Sequence, residues 1–391
     1  VAKVAPWLTL DGDPYPALVD GRVLWIIDGY TTSAGYPYSR KTTLSDSTTD
    51  ALTANSAAIT AQGNQSVNYI RNSVKATVDA YDGTVSLYAW DEKDPVLKTW
   101  SKAFPKSIKP KSEMSAQLMD HIRYPEDMFK VQRDILSAYH VKTAAAFYGG
   151  QDFWRVPRDP STFGANAGNQ PPYYMTMQLP GSDKSFFSLT TPFVPRGGRE
   201  NLAAFATVNS DAGPDYGKIT VLQLPRSTNI AGPSQVASNF EAKPEVANSL
   251  SLLRQGGSDV VLGNLVTLPV GGGLLYVQPV YVRATSNAAA YPLLQKVLVS
   301  FGDQIGFSDT LKGALDQVFA GDSGTSGSGE STGSGKPTTG ANDLANALAD
   351  ARQALADSRT ALAKGDFTAY GKAQDRLKAA IDAATSAQNK K

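Results

Sequence analysis

Apolar and polar residues alternate most regularly between Ile70 and Ala89. Ile70, Asn72, Val74, Ala76 and Val78 fall on one strand face, and Arg71, Ser73, Lys75 and Thr77 on the other. Val85, Leu87 and Ala89 resume the alternation after Asp82-Gly83. An Asp-Gly pair between two such runs predicts a hairpin, because its turn needs positive φ. The stretch from Val4 to Tyr38 breaks into short apolar runs at Asp11-Gly12, Asp20-Gly21 and Asp28-Gly29, with aromatic corners at Pro14-Tyr15-Pro16 and Tyr36-Pro37-Tyr38. That punctuation predicts tightly turned β structure with its best strand over Val23–Ile27. Residues 41–66, rich in Ser, Thr, Ala and Asn, read as a loop with one short helix.

The period then changes to that of helices. Asp94 is placed to cap a helix opened by Pro95 and running to about Phe104. A second helix is expected over Glu113–His121. A third opens at Pro125, with Glu126 and Asp127 suiting its positive end and Met128, Val131, Ile135 and Tyr139 at helical spacing. Strand patterns return at Tyr173–Leu179, Phe186–Phe193, Leu202–Asn209 and Ile219–Leu224, followed by a helix over Pro244–Arg254 that stops at Gly256.

From Val260 to Val282 no residue is charged, a length sufficient to cross a bilayer. Pro269, Gly271-Gly272-Gly273 and Pro279 would break a helix there, and the valines favour strands, so two buried strands joined by a glycine turn are expected. A hairpin about Gly302-Asp303 follows. Ser308 or Asp309 then caps a helix through Phe319, with Leu311, Leu315 and Val318 inward.

The fold class expected is therefore α+β: a β-rich body of antiparallel hairpins over residues 1–320, with a helical insert at about 94–141. A Gly/Ser-rich linker follows over 321–341. Beyond it, two Ala-rich helices joined at Lys364-Gly365-Asp366 form an αα-hairpin over 342–389. Within the linker, Gly329–Gly333 spells GESTG but lacks the preceding strand of a nucleophile elbow, and Gly335-Lys336 lacks the first glycine of a phosphate loop.

Composition narrows the function classes. Of 391 residues, 41% are hydrophobic and 19% charged, which suits a real core, and the formal net charge of +1 offers nucleic acid no electrostatic footprint. With no cysteine, disulfides, thiolate catalysis and Cys-ligated metals are excluded. Val1 begins without a charged region or an apolar leader, as an ectodomain taken from behind membrane helices would, and equally as a cytosolic protein lacking its start would.

No catalytic constellation stands out. The two histidines, His121 and His140, lie far from metal-ligand spacing, so neither a metal nor another cofactor is expected. Asp11 and Asp13 lack the remaining ligands of a calcium loop. The cluster Asp91, Glu92 and Asp94 offers paired carboxylates for glycan or lipid hydrolysis, and the same residues suit turns and helix caps. Residues 149–172 form a long Gly/Pro/Asn-rich loop with two exposed-looking aromatics; Asp152, Phe153, Trp154, Arg155 and Arg158 are its candidate binding residues.

Four stretches carry a family resemblance: Val4–Tyr38, VKATVDAYDGTVSLYAWDEKDP from Val74, HIRYPEDMFKVQRDILSAYH from His121, and VVLGNLVTLPVGGGLLYVQPVYVR from Val260. Together they resemble an uncharacterised family of large integral membrane proteins of actinobacteria and cyanobacteria. Members of that family place transmembrane helices before a long extracytoplasmic portion, and this chain is similar to the C-terminal part of that portion. The resemblance implies a location on the extracytoplasmic face of the cell membrane. It implies as partners the membrane-embedded portion of the same protein and a homo-oligomer or envelope complex. The function it implies is binding or assembly in the cell envelope, with an envelope hydrolase using Asp91, Glu92 and Asp94 as the alternative.

Overall fold

A computed structural model describes residues 1–55, 59–162, 168–225, 227, 229–255, 257–285 and 291–319, with a few positions between 353 and 380. Its contacts divide the chain into two units, Val1–Thr325 and Ser326–Lys391. The linker expected at 321–341 lies outside the described residues, and so does nearly all of the expected hairpin at 342–389. The described positions there are helical, and Arg376 pairs with Asp357.

The first unit is α+β. It opens with β1 (Thr9–Leu10), β2 (Tyr15–Val19) and β3 (Arg22–Ser33). Asp20 and Gly21, at φ 50° and 76°, make the two-residue turn between β2 and β3. Asp28-Gly29 makes no turn: it lies inside β3, which pairs with β1 and β2 on one side and a later strand on the other. Gly29 packs closely there, a Cβ at its position lying 3.0 Å from the Leu8 side chain. A short ribbon, β4 (Thr42–Thr43) with β5 (Ser66–Val67), encloses α1 (Leu44–Thr48) and α2 (Ala51–Asn55).

β6 (Tyr69–Asp79) and β7 (Val85–Ala89) form the expected hairpin, with Gly83 at φ 74° in its loop. Its face assignment differs from simple alternation. Gly29 pairs with Val74 but Tyr30 pairs with Asn72, so Ser73 is an extra residue and the register shifts. The bulge carries Asn72 onto the face of Lys75 and away from Val74.

α3 (Pro95–Ala103) is capped by Asp94, and β8 (Lys109–Pro110) joins β7 in parallel. The helix expected over Glu113–His121 is shorter. A 3₁₀ turn covers Lys111–Glu113, and α4 (Ala116–Asp120) begins only after Ser115, whose hydroxyl accepts from the Leu118 N–H at 3.2 Å. α5 (Glu126–Tyr139) has the expected bounds. Met128 and Val131 are buried, but Ile135 and Tyr139 are exposed, and the buried face carries Glu126, Asp127, Lys130 and Arg133. α6 (Ala144–Gly149) was not signalled; it stops where Gly150 turns left-handed.

The second sheet holds β9 (Trp154–Arg155), β10 (Tyr173–Gln178), β11 (Ser185–Pro195), β12 (Ala204–Asn209) and β13 (Ile219–Gln223), in the order β10-β11-β12-β13 with β9 against the end of β11. α7 (Pro233–Ala242), for which no element was expected, and α8 (Pro244–Leu253) follow. The stop expected at Gly256 falls on a residue outside the described set. The uncharged stretch after it forms three strands rather than two: β14 (Ser258–Leu262), β15 (Val266–Val270) and β16 (Gly273–Ala284). With β17 (Leu293–Phe301) and β18 (Gln304–Ser308) they make a third antiparallel sheet. α9 (Leu311–Val318) is capped by Thr310 instead of Ser308 or Asp309, and this places Leu311 outward. Among the described residues no helix is long and apolar enough to cross a membrane.

The third sheet is a sandwich centre, with Val236, Phe240, Val246 and Leu250 of α7 and α8 on one face and Leu315 and Val318 of α9 on the other. Between the first two sheets lies α5. Its Met128 and Phe129 pack with Tyr30 of β3 and with Leu189 and Val208 of the second sheet. Both faces of β6 are thereby covered, one by Ala5, Leu8 and Leu97 and the other by α4, α5 and Tyr216.

A close approach fixes Gly12, where a Cβ would stand 2.2 Å from the carbonyl oxygen of Thr60. Gly63 has open space around it. We expect Gly12→Ala to lower stability by about 3 kcal/mol or more, and Gly63→Ala to change it by less than about 0.5 kcal/mol, read as urea midpoints.

Candidate functional site

Two features of the first unit concentrate polar chemistry. The first is a buried charge centre between the first sheet and α5. Directly opposite on β3 and β6, Asp28 and Lys75 form an ion pair, and Lys75 is wholly enclosed. Its ammonium also donates to the Arg123 carbonyl at 2.9 Å and the Tyr216 hydroxyl at 3.0 Å, while Asn72 donates to Asp28 at 2.8 Å. The bulge at Ser73 is what brings Asn72 within reach.

From this pair the network continues through the opening loop into α5. Tyr30 donates its hydroxyl proton to Asp11, which also accepts the Asp127 N–H at 3.0 Å. Asp127 accepts in turn from the Gly12 N–H at 2.9 Å and from Gln62 at 2.6 Å. One turn further along α5, Lys130 reaches Asp50 at 2.7 Å and Glu126 at 2.8 Å. At the rim, Arg123 pairs with Asp13 at 2.6 Å and lies over the ring of Tyr15, 3.8 Å from its centroid.

Burial dominates the electrostatics. It pushes Asp28 up and Lys75 down, and each is pulled back by the other's charge. Desolvation likewise raises Glu126. Asp50 responds differently: burial opposes its charge, but Lys130 and the Thr53 donors hold it below its usual range. The carboxyls Asp11, Asp13, Asp28, Asp50, Glu126 and Asp127 outnumber the cations Lys75, Arg123, Lys130 and Arg133. Asp127 shows this excess, being raised by burial and then by Asp11 to about 7.

The second feature is a cleft of about 470 Å³ where α5 ends. His140, Lys142, the segment Gln151–Trp154, Arg199, Asn201 and Gln223 line it. The His140 ring stacks on Trp154 with centroids 3.4 Å apart, and Trp154 also meets Phe193. Trp154 is therefore a buried wall residue rather than an exposed aromatic, because β9 pairs with β11 and carries it inward.

Of the five candidate binding residues, Asp152, Phe153 and Trp154 line this cleft. Arg155 pairs with Glu200, and Arg158 faces a separate groove of about 740 Å³ that Arg199 also borders. Lys142, Arg199 and Asn201 carry no sequence signal that would single them out. The lysines and acids of the buried centre were missed for another reason: on an alternating strand or an amphipathic helix, a charge reads as facing water.

The carboxylate cluster is distributed among structural tasks. Asp94 accepts from the N–H groups of Val96 and Leu97 at 3.0 and 3.1 Å, and from the hydroxyls of Thr31, Ser73 and Tyr69. Asp91 pairs with Arg71 at 2.6 Å and accepts from the Lys93 N–H. Asp94 thus spends its acceptor capacity inside the protein. His121 borders a hollow beside Tyr15 and Arg123, and His140 borders the cleft at the other end of α5. Among the described residues no group of three His, Asp or Glu side chains is placed to hold a metal.

An α+β body with a charged interior and a polar, aromatic-walled cleft is the class of protein defined so far. Residues 1–253 match the model of the Uncharacterised protein family UPF0182, and the chain belongs to that family. A UPF0182 protein of Thermobifida fusca is 55% identical over 394 residues, covering 99% of this chain and 38% of the relative. One from Streptomyces coelicolor is 52% identical over 397 residues, covering 100% of this chain and 39% of the relative. The chain thus spans about two fifths of the length of the curated relatives it matches. No solved structure matches it.

Two outcomes test the buried centre. Lys75→Met should cost about 3–5 kcal/mol by stranding Asp28, and adding Asp28→Leu should recover a large part of it, measured by urea unfolding. Folding also takes up a proton on Asp127 at pH values between its unfolded 3.8 and its folded value of about 7. Stability from this group therefore falls as pH rises across that window. Asp127→Asn should flatten that part of the stability profile between pH 4 and pH 8.

Proposed function

We propose that this chain is an extracytoplasmic binding and assembly part of a membrane protein, working in the cell envelope. The observation that carries the binding half is a contrast in how polar groups are used. Of the carboxylates best placed for catalysis, Asp94 is tied into a helix cap and Asp91 into an ion pair. The cleft at the end of α5, in contrast, keeps Lys142 and Arg199 without an ion pair or side-chain hydrogen bond among the described residues. A concave, largely apolar site with a few uncommitted polar groups is the usual form of a ligand pocket. The membrane half rests on the family resemblance, and the greater length of the relatives leaves room for a membrane-embedded partner portion in the same polypeptide.

Two measurements on the full-length protein test this reading. An export-dependent reporter fused after Lys391 should be active, and light scattering in detergent should give a mass above one protomer. An inactive reporter would remove the extracytoplasmic location, and a monomer would remove assembly and leave ligand binding alone.

A further inference from the structure

From the charge distribution of the cleft at the end of α5, we infer that it takes an anionic group, a phosphate or carboxylate, borne on a body with apolar surface. The inference rests on the reading of this cleft as a binding site and adds the class of ligand. Two cationic side chains border it: Lys142 and Arg199 both line the cleft, neither paired within the described residues. The His140 ring lies against backbone, its Nδ1 2.9 Å from the Leu136 carbonyl oxygen and its Nε2 3.0 Å from that of Asp152.

Against these stands one acid on the lining, Asp152, which is itself engaged within the protein. The balance of the cleft is positive, whereas the whole chain is close to neutral at +1. Asn201 and Gln223 add amide donors to the lining, and Phe153, Leu202 and Pro195 supply apolar surface. A guanidinium and amide donors on one lining suit the planar, multi-acceptor geometry of a phosphate or carboxylate. The volume of about 470 Å³ exceeds what a bare ion needs and fits a small amphiphilic body. An anionic lipid headgroup and a free anion share this chemistry.

Isothermal titration calorimetry on the 391-residue chain separates the sources, with monomeric dihexanoyl-phosphatidylglycerol, inorganic phosphate and neutral hexyl glucoside as probes. Binding of dihexanoyl-phosphatidylglycerol is expected, weakened roughly tenfold or more in a Lys142→Gln/Arg199→Gln variant and by added salt. Because both side chains are unpaired, the variant should keep the wild-type urea midpoint. Equal binding of inorganic phosphate would support the anion and assign it to a free source. Binding of hexyl glucoside alone, lost when Phe153 is changed to Ala, would overturn the anionic class and leave the cleft as a binding site. Anion binding that the double variant does not weaken would likewise overturn it, and no binding by any probe would overturn both readings.

Discussion

The enclosed pairing of Lys75 with Asp28 is the interaction on which the rest of the body depends. An isolated ammonium cannot be held at full burial, so everything around Lys75 must supply compensation. β3 supplies the carboxylate, the bulge at Ser73 supplies Asn72, and the turn after α4 supplies the Arg123 carbonyl. The turn between β12 and β13 supplies Tyr216. Three parts of the chain far from Lys75 in sequence thus meet its charge, and Asn72 supports Asp28. That requirement fixes the register of β3 on β6, since a slip of one residue would leave both charges unpaired in apolar surroundings.

α5 extends the same logic along its length. Its buried face is charged where most helices would be apolar, and Lys130 is answered by Asp50, just before α2, and by Glu126 one turn earlier. Such networks are weak sources of net stability, because desolvation offsets much of the attraction. Their effect is on specificity: α5 fits between its two sheets in one position, with Asp11, Gly12 and Gln62 gripping its first turn. The helix then carries His140 to a defined place at its other end, and one element positions both the charged interior and the cleft wall.

Much of the architecture is legible from local signals. The β6–β7 hairpin, the cap at Asp94, the bounds of α5 and the strands of the second sheet follow from alternation, helical spacing and turn residues. These are short-range effects and need no knowledge of what packs against them. The misses have equally specific causes. Asp28-Gly29 carries turn chemistry, but strands on both sides hold it extended. α7 was hidden because Gly-Pro marks a turn as readily as a helix start. Leu311 is exposed because a cap at Thr310 makes it the first residue of α9, while Leu315 and Val318 lie inward as expected.

For the candidate sites the division is sharper. The segment Asp152–Trp154 is visible in sequence as part of a long irregular loop, and the family resemblance rests on sequence alone. Which cations would join that segment was decided only when the loop after β11 brought Arg199 to the same cleft as Lys142. The burial of Lys75 was likewise settled in three dimensions. Alternation along a strand says which side chains share a face and is silent on whether that face will meet water or another layer of protein. Here α4, α5 and Tyr216 cover the polar face, and a lysine that reads as a surface charge becomes the centre of the fold.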